Sequence, residues 1–367
     1  MINSIKKKLL NILKNIGYSL WSIVHGRIKG VLDPTKENFI EVIHSTFKGN
    51  YTYKIFKIKN CRIYTDTVTD TAFILDSKIV EGPSFQHRNP KNAKINENIV
   101  FQKGTPKIKR NLSGTVFSLL TGGAGNANYW HWLFDVLPRL KIFKNKMDIN
   151  EIDFFLFPDL KENFQKETLN FLDIPFKKRI SSIKFRHIQT KYTIATDHPY
   201  VIKNDPSTEI QNLPIWILNY LRDTFLSIES TKKLPTKFYI DRKDSKSNHR
   251  HLRKIINEDE VKFFLKKNGF TILSLSQLSF ADQVNLFRNA ENIVGLHGAG
   301  FANLTFCRPK TSVLELKPIS AGNVIGNLAE KNNLYYQDIS IVPLKNSNNN
   351  QQGFIKIPLN LLEKKIS

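Results

Sequence analysis

The second half of the chain repeats one pattern, a short apolar run of strand length followed by a segment with helical spacing. Strands that alternate with helices form a parallel sheet, because a crossover is needed to return the chain to the same end of its neighbour. The second half is therefore predicted to be a Rossmann-like domain. Its predicted strands are Lys237–Ile240, Thr271–Leu275, Asn292–Leu296 and Ser312–Leu316, and its predicted helices are Glu258–Lys267, Phe280–Asn289 and Phe301–Phe306.

The first half is β-rich after Pro34, where strands are predicted over Arg62–Thr67 and Ala72–Leu75. It then shows the same alternation of strands and helices, which predicts another α/β layer. The predicted elements are strands Thr115–Leu120, Ile152–Phe157 and Tyr192–Ala195 and helices Asn128–Phe143 and Glu162–Leu172. A chain of 367 residues is expected to contain two domains. We predict domains over 36–212 and 213–345, the second opening with a helix over 213–228. An Asn/Gln linker and a terminal helix follow over 346–367.

Residues 1–35 form a separate segment in which apolar residues recur at helical spacing over residues 1–24. Lysines accompany the apolar stripe, which predicts a basic amphipathic helix. Two interpretations stay open, a helix on an anionic membrane surface and an ordinary helix packed on the body of the protein. No stretch of the sequence approaches the roughly 20 apolar residues that span a bilayer.

Charge and cysteine content narrow the classes of function. The formal net charge is +23, which predicts an anionic partner such as a phosphate-bearing substrate or a membrane surface. A nucleic acid is a further anionic partner that this charge would fit. Since the basic residues are dispersed and no nucleic-acid motif is present, it is the weakest of the three alternatives. Cys61 and Cys307 form neither a disulfide framework nor a paired zinc motif, and they fit a reducing compartment.

The first candidate site is the glycine-rich turn between a predicted strand and a helix. Glycines let the backbone turn tightly, and the free amides of the following helix favour an anion. His297 ends the strand, and Glu315 ends the next strand, where it could accept hydrogen bonds from a ribose. The competing interpretation is a structural turn with a surface carboxylate. The candidate donor-binding residues here are His297, Gly298, Ala299, Gly300, Asn303 and Glu315.

The second candidate site is the helix that begins near Asn128. His131 and Asp135 are four residues apart and therefore share one helical face. His131 could act as a general base oriented by Asp135, the two could ligate a metal, or they could form a structural ion pair. Asn128 and Arg139 are candidate contacts to phosphate or acceptor, and Pro138 is expected to interrupt the helix.

The third candidate site is Arg242, at the carboxyl end of a predicted strand. An arginine at this position can bind a pyrophosphate with two parallel hydrogen bonds. Arg250 and Arg253, in the basic loop that follows, could close over the phosphates. Lys243 and Lys246 are interpreted as solvated loop residues.

Three segments together resemble glycosyltransferase family 61. They are Asn128–Leu140, the Tyr239–Arg242 strand with Asn257–Val261, and Ile293–Leu304 with Ser312–Leu316. The resemblance covers about Gly114 to Leu316 and implies a GT-B-like fold. Such a fold has two facing Rossmann-like domains, with the nucleotide-sugar donor on the C-terminal one and no catalytic metal. The family commonly has Leu-Thr-Asn after Gly-Ala-Gly, and Phe301-Ala-Asn303 here leaves the donor's identity open.

The sequence thus predicts an inverting, metal-independent glycosyltransferase that needs no cofactor. The expected partners are a nucleotide sugar, with a UDP-sugar favoured, and a hydroxyl of a surface or capsular glycan that is free or lipid-linked. The expected location is the cytoplasm, peripheral on the inner face of the membrane if the first helix binds lipid. A non-catalytic glycan-assembly scaffold of the same fold is the main alternative, and a nucleic-acid-binding protein ranks lower.

Overall fold

The computed structural model describes residues 2–67, 70–84, 94–120, 127–203, 205–243, 252–344 and 352–366. The chain divides into two compact units, 1–209 and 210–367, close to the predicted boundary at 212. The helices of the first unit are α1 Ile2–His25, α2 Val100–Lys103, α3 Tyr129–His131, α4 Leu137–Lys144, α5 Asn163–Phe171 and α6 Pro206–Glu209. The helices of the second unit are α7 Ile215–Phe225, α8 Glu258–Lys267, α9 Phe280–Arg288, α10 Val324–Lys331 and α11 Leu359–Ile366.

In the described part of the first unit, ten strands form one mixed sheet. Its main path runs β1-β6-β5-β4-β10-β7-β8-β9, with β3 also paired to β10 and β2 to β3. The strands are β1 Gly30–Leu32, β2 Ile40–Phe47, β3 Tyr51–Lys59, β4 Arg62–Thr67, β5 Asp70–Leu75, β6 Lys78–Val80, β7 Arg110–Ser118, β8 Phe154–Phe157, β9 Arg179–Ser181 and β10 His187–Thr196.

The parallel part of this sheet is β10-β7-β8-β9. The segment between β7 and β8 contains α3 and α4, and the segment between β8 and β9 contains α5, so these connections are βαβ crossovers. β2 to β5 pair antiparallel with their neighbours, β3 and β4 both pairing antiparallel with β10. The first unit is thus an α/β layer extended by antiparallel strands, which the predicted Rossmann-like pattern did not include.

The second unit contains a five-stranded, entirely parallel sheet of order β13-β11-β14-β15-β16. In chain order this is 2-1-3-4-5, the order of a doubly wound fold, whose switch point lies between the first and third strands, β11 and β14. The parallel Rossmann-like sheet predicted for this half is confirmed. The strands of this unit are β11 Lys237–Ile240, β12 Arg253–Ile255, β13 Thr271–Leu273, β14 Asn292–Leu296, β15 Ser312–Pro318, β16 Tyr335–Ile341 and β17 Gly353–Ile355.

Local sequence signals account for the helix ends in this unit. Ser279 caps α9 with a reciprocal capping box, and Gly269 adopts φ +81° just after α8. The predicted 346–367 segment does not stand apart, because Ile355, Ile357 and Leu362 are buried in the core of the second unit. Residues 345–351 of the Asn/Gln tract lie outside the described residues.

The predicted helix at the start of the chain is present as α1. Its aliphatic residues from Leu10 onwards are exposed, including Leu13, Ile16, Leu20 and Ile23, whereas Trp21 is partly buried. Among the described residues, no helix is long and apolar enough to cross a bilayer.

Candidate functional site

The helix that carries His131 contains an irregular turn. Asn128 caps its start, accepting a hydrogen bond from the Trp130 amide at 2.9 Å, as predicted for the cap. α3 then passes into a π-helical segment, Trp132–Val136, before α4. Pro138 has no amide hydrogen for the preceding turn, and the interruption predicted there takes the form of this π turn. The glycine-rich sequence 121–125 that precedes this helix lies outside the described residues.

His131 and Asp135 contact each other directly, as their spacing predicted. Nδ1 of His131 lies 2.8 Å from Oδ2 of Asp135. The Asp135 side chain is completely buried, whereas that of His131 is 20% exposed, so only the imidazole can reach a ligand. Burial alone would raise the pKa of Asp135, but the interactions with His131 and His198 hold it below its usual range. Burial lowers the pKa of His131, but the nearby Asp135 carboxylate raises it by more. The pKa of His131 therefore lies above its usual value.

His198 is the residue that the sequence analysis missed. Its Nε2 lies 3.5 Å from Oδ2 of Asp135, and its side chain is 1% exposed. The Nδ1 atom accepts hydrogen bonds from the amides of Tyr200 and Val201, at 3.3 and 3.1 Å. Because Nδ1 is an acceptor, the neutral ring carries its hydrogen on Nε2, facing Asp135. His198 thus supports the carboxylate that orients His131.

The sheet explains why these three residues meet. The helix with His131 and Asp135 follows the carboxyl end of β7, and His198 follows the carboxyl end of β10. β7 and β10 are parallel neighbours, so their carboxyl ends share one edge of the sheet. Ligands of α/β sheets bind at this edge. The signal available in sequence was a histidine just after a predicted strand, but the pairing of β10 with β7 could not be read from it.

Arg139 requires a correction. Its side chain is fully buried, and its guanidinium donates to the backbone carbonyls of Asp135, at 2.8 Å, and Thr196, at 3.2 Å. Burial lowers its pKa to about 10, against the opposing effect of Asp135. A buried guanidinium bonded in this way does not reach a phosphate or acceptor, and it instead ties the helix to the end of β10. Asn128 uses its side-chain oxygen as the helix cap.

In the second unit, Arg242 and the glycine turn lie at the switch point of the sheet. Arg242 follows β11 and His297 follows β14, and Nη1 of Arg242 donates to the His297 carbonyl at 2.7 Å. A Cβ on Gly298 would lie 3.2 Å from Cζ of Arg242. The absence of a side chain there lets the guanidinium pack against the turn, so the structure brings together the two elements that were predicted to bind a diphosphate.

The helix that follows the turn is a 3₁₀ helix, Ala299–Phe306. A Cβ on Gly300 would lie 2.8 Å from Cδ1 of Leu275, so the leucine side chain would have to shift if Gly300 carried a side chain. Asn303 is fully buried and donates to Oε1 of Gln283 and to the Gly300 carbonyl, at 3.1 and 3.2 Å. Its predicted contact with the donor is therefore replaced by a role in holding the turn.

Glu315 also requires a correction. Its side chain is fully buried, and its oxygens contact Nδ1 of His297 and the hydroxyl of Tyr336. Nζ of Lys317 lies 3.7 Å from the same carboxylate. Glu315 therefore does not face a ribose but fixes the ring of His297, just as Asp135 fixes His131. His297 is itself only 4% exposed at its side chain, which makes it part of the framework of the turn.

Arg253 supplies a second positive charge to this region. Burial lowers its pKa to about 10, with Arg242 lowering it further and Glu315 opposing the shift. Arg250, the other predicted contact, lies outside the described residues.

Within the ranges described, no group of three or more His, Cys, Asp or Glu residues is placed to hold a metal ion.

Comparison with known proteins gives the family. Residues 129–314, just over half of the chain, match Glycosyltransferase 61. The chain belongs to glycosyltransferase family 61. The matched range begins at α3 and reaches Leu314 in β15, so it contains His131, Arg242 and the glycine turn, one from each of the three candidate sites. Membership indicates glycosyl transfer, with a sugar donor and a glycan acceptor. A comparison with curated proteins finds no match.

Proposed function

We propose that this family 61 protein transfers a sugar from a nucleotide-sugar donor to a glycan hydroxyl without a catalytic metal and with inversion at the anomeric carbon. The observation that carries the proposal is the placement of Arg242 against the glycine turn at the switch point of a doubly wound sheet. The GT-B-like arrangement implied by the family resemblance forms part of the proposal.

The second unit would hold the donor. Arg242 and Arg253 offer positive charge to the diphosphate, and the amides at the start of the 3₁₀ helix offer hydrogen bonds. As the bond between the anomeric carbon and the diphosphate oxygen breaks, negative charge grows on the leaving group. Preorganised guanidinium groups stabilise that charge most strongly in the transition state. His297 and Glu315 would maintain the shape of the turn rather than contact the sugar.

The first unit would supply the general base. The unprotonated Nε2 of His131 would take the proton from the acceptor hydroxyl as that oxygen attacks the anomeric carbon from the face opposite the diphosphate. Asp135 holds Nδ1 and stabilises the imidazolium that forms. Because the base must be neutral and its pKa is raised, activity is expected to fall as pH decreases through a value above the usual pKa of histidine.

The remaining details of the proposal come from the family and the composition. We favour a UDP-sugar as donor and a surface or capsular glycan, free or lipid-linked, as acceptor. A cytoplasmic location fits the two free, buried thiols of Cys61 and Cys307. The competing proposal is a non-catalytic scaffold of the same fold, which would not need the ordered contacts of His131, Asp135 and His198.

A thermal-shift panel tests the donor site. UDP, GDP, CDP, CMP and their sugar conjugates are added to the full chain with and without EDTA. A true donor at one hundred times its dissociation constant is expected to add about 2.7 kcal/mol to the free energy of unfolding. Stabilisation by one nucleotide class, equal in EDTA, would support a metal-independent transferase. A shift that EDTA abolishes would contradict metal independence, and no shift with any nucleotide would favour the scaffold.

The role of His198 can be tested by two replacements that each keep one ring nitrogen's function. In His198→Asn the side-chain oxygen can still accept from the Tyr200 and Val201 amides, but the donor to Asp135 is lost. In His198→Gln the amide can still donate to Asp135. Without that donor the carboxylate acts more strongly on His131 and raises its pKa, so the acidic limb of the pH–rate profile is expected to move to higher pH in His198→Asn alone. An unshifted profile in His198→Asn would limit His198 to a structural role.

A further inference from the structure

The helix α1 presents an apolar stripe on its outer side. Leu13, Ile16, Leu20 and Ile23 recur at three- and four-residue intervals, and their exposed fractions are 59%, 53%, 58% and 81%. At 3.6 residues per turn these positions share one face of the helix. Four large aliphatic side chains exposed along one face form a continuous surface rather than scattered apolar residues.

The opposite face of α1 contacts the rest of the first unit. The His25 ring packs edge-on against the ring of His187 at 4.7 Å, and Nη1 of Arg62 donates to the His25 carbonyl at 2.8 Å. Ser22 lies so close to Gly104 that a Cβ on this glycine would be 3.1 Å from the serine hydroxyl. Ser22 and His25 fall on the side of the helix away from the stripe. The helix is therefore anchored at its end with its apolar face turned outward.

Charge indicates what covers the stripe. The segment carries Lys6, Lys7, Lys8 and Lys14 within the helix and Arg27 and Lys29 just after it, and no Asp or Glu precedes Asp33. A segment with only positive charge beside an exposed apolar stripe matches a surface that is negatively charged outside and apolar beneath. We propose that α1 lies in the interfacial plane of an anionic lipid membrane, with the Leu13–Ile16–Leu20–Ile23 stripe buried among the acyl chains. This goes beyond the proposed transfer reaction and does not depend on it.

Flotation with lipid vesicles tests this inference on the full chain. Wild-type protein is expected to float with phosphatidylcholine vesicles that contain phosphatidylglycerol and to bind vesicles of phosphatidylcholine alone much more weakly. Replacing the exposed Lys6 and Lys14 by glutamine is expected to weaken binding about fivefold for each lysine. Added salt should weaken it as well, since it screens charges at the membrane surface.

The stripe itself is tested by the double variant Ile16→Asn with Leu20→Asn. Removing two aliphatic side chains from the acyl region is expected to lower the partition coefficient by at least about tenfold. The matched control is Phe176→Asn with Ile183→Asn, which removes two side chains of the first unit that are also exposed, at 85% and 57%, but lie outside α1. This control should bind as the wild type does, and both variants should unfold at the wild-type temperature.

Three results would overturn the proposal. The first is that the wild-type protein does not float with anionic vesicles. The second is that the stripe variant binds vesicles as well as the wild type does. The third is that the control variant loses as much binding as the stripe variant. Self-association of the wild type that the stripe variant abolishes, in the absence of vesicle binding, would assign the stripe to a second copy of the chain. None of these results bears on nucleotide binding in the thermal-shift panel, so the two proposals fail separately.

Discussion

Replacing His131 by alanine is expected to lower kcat by about 10²–10⁴-fold, the usual contribution of a general base. The His131 side chain is 20% exposed, more than those of Asp135 and His198, and its Nδ1 lies 2.8 Å from Asp135. The proposed mechanism assigns the acceptor proton to its Nε2. The proposed donor-binding residues belong to the second unit, so the donor dissociation constant should stay close to that of the wild type. Steady-state kinetics and calorimetry with the donor identified by the thermal-shift panel separate the two quantities.

The control for this variant is His44→Ala. His44 is an exposed histidine of β2 in the same unit, outside the cluster, and its loss should leave kcat unchanged.

Asp135→Asn should also lower kcat and should move the acidic limb of the pH–rate profile to lower pH, because the carboxylate that raises the pKa of His131 is gone. Wild-type kcat in folded His131→Ala and His131→Asn proteins would show that another group accepts the proton.

The second unit was predictable from sequence because its signals are local. Each strand is a short apolar run, and residue types typical of helix ends mark two boundaries, since Ser279 caps α9 and Gly269 follows α8. Predicted and observed bounds agree for β11, α8 and β14. Among the antiparallel strands of the first unit, β4 was predicted with its observed bounds and β5 with most of its length. β2 and β3 were missed, because partly exposed strands such as β2 mix buried and exposed residues and depend on their pairing for stability.

Contacts between candidate site residues could be predicted where they are local and less well where they depend on strand pairing. The His131–Asp135 contact follows from four-residue spacing on one helix. His198 joins it only through the pairing of β10 with β7, a relation between residues far apart in sequence. Glu315 was placed at the correct edge of the sheet, but its side chain turns inward to His297 and Tyr336, and sequence does not reveal which way a carboxylate at a strand end points.

Replacing Arg242 by alanine is expected to lower kcat/KM by about 10²–10³-fold, the scale observed when one preorganised donor to a developing negative charge is removed. Both donor affinity and kcat should fall, since in the proposed mechanism the guanidinium contacts the diphosphate in the ground state and stabilises a larger negative charge in the transition state. Lys243→Ala is the matched control, because it removes the same formal charge one residue further along at an exposed position. Kinetics and nucleotide thermal shifts on both variants give the comparison.

Two further variants separate charge from geometry at this position. Arg242→Lys keeps the charge but loses the planar fork and cannot reproduce two parallel hydrogen bonds, so it should recover only part of the lost activity. Gly298→Ala keeps the arginine at position 242 but puts a Cβ 3.2 Å from its Cζ. This contact should displace the guanidinium and therefore weaken donor binding, as Arg242→Ala does. If Arg242→Ala and Lys243→Ala reduced donor affinity equally, net charge rather than this arrangement would hold the diphosphate. The switch-point site would then lose its support, because its case rests on the fixed position of the guanidinium against the turn.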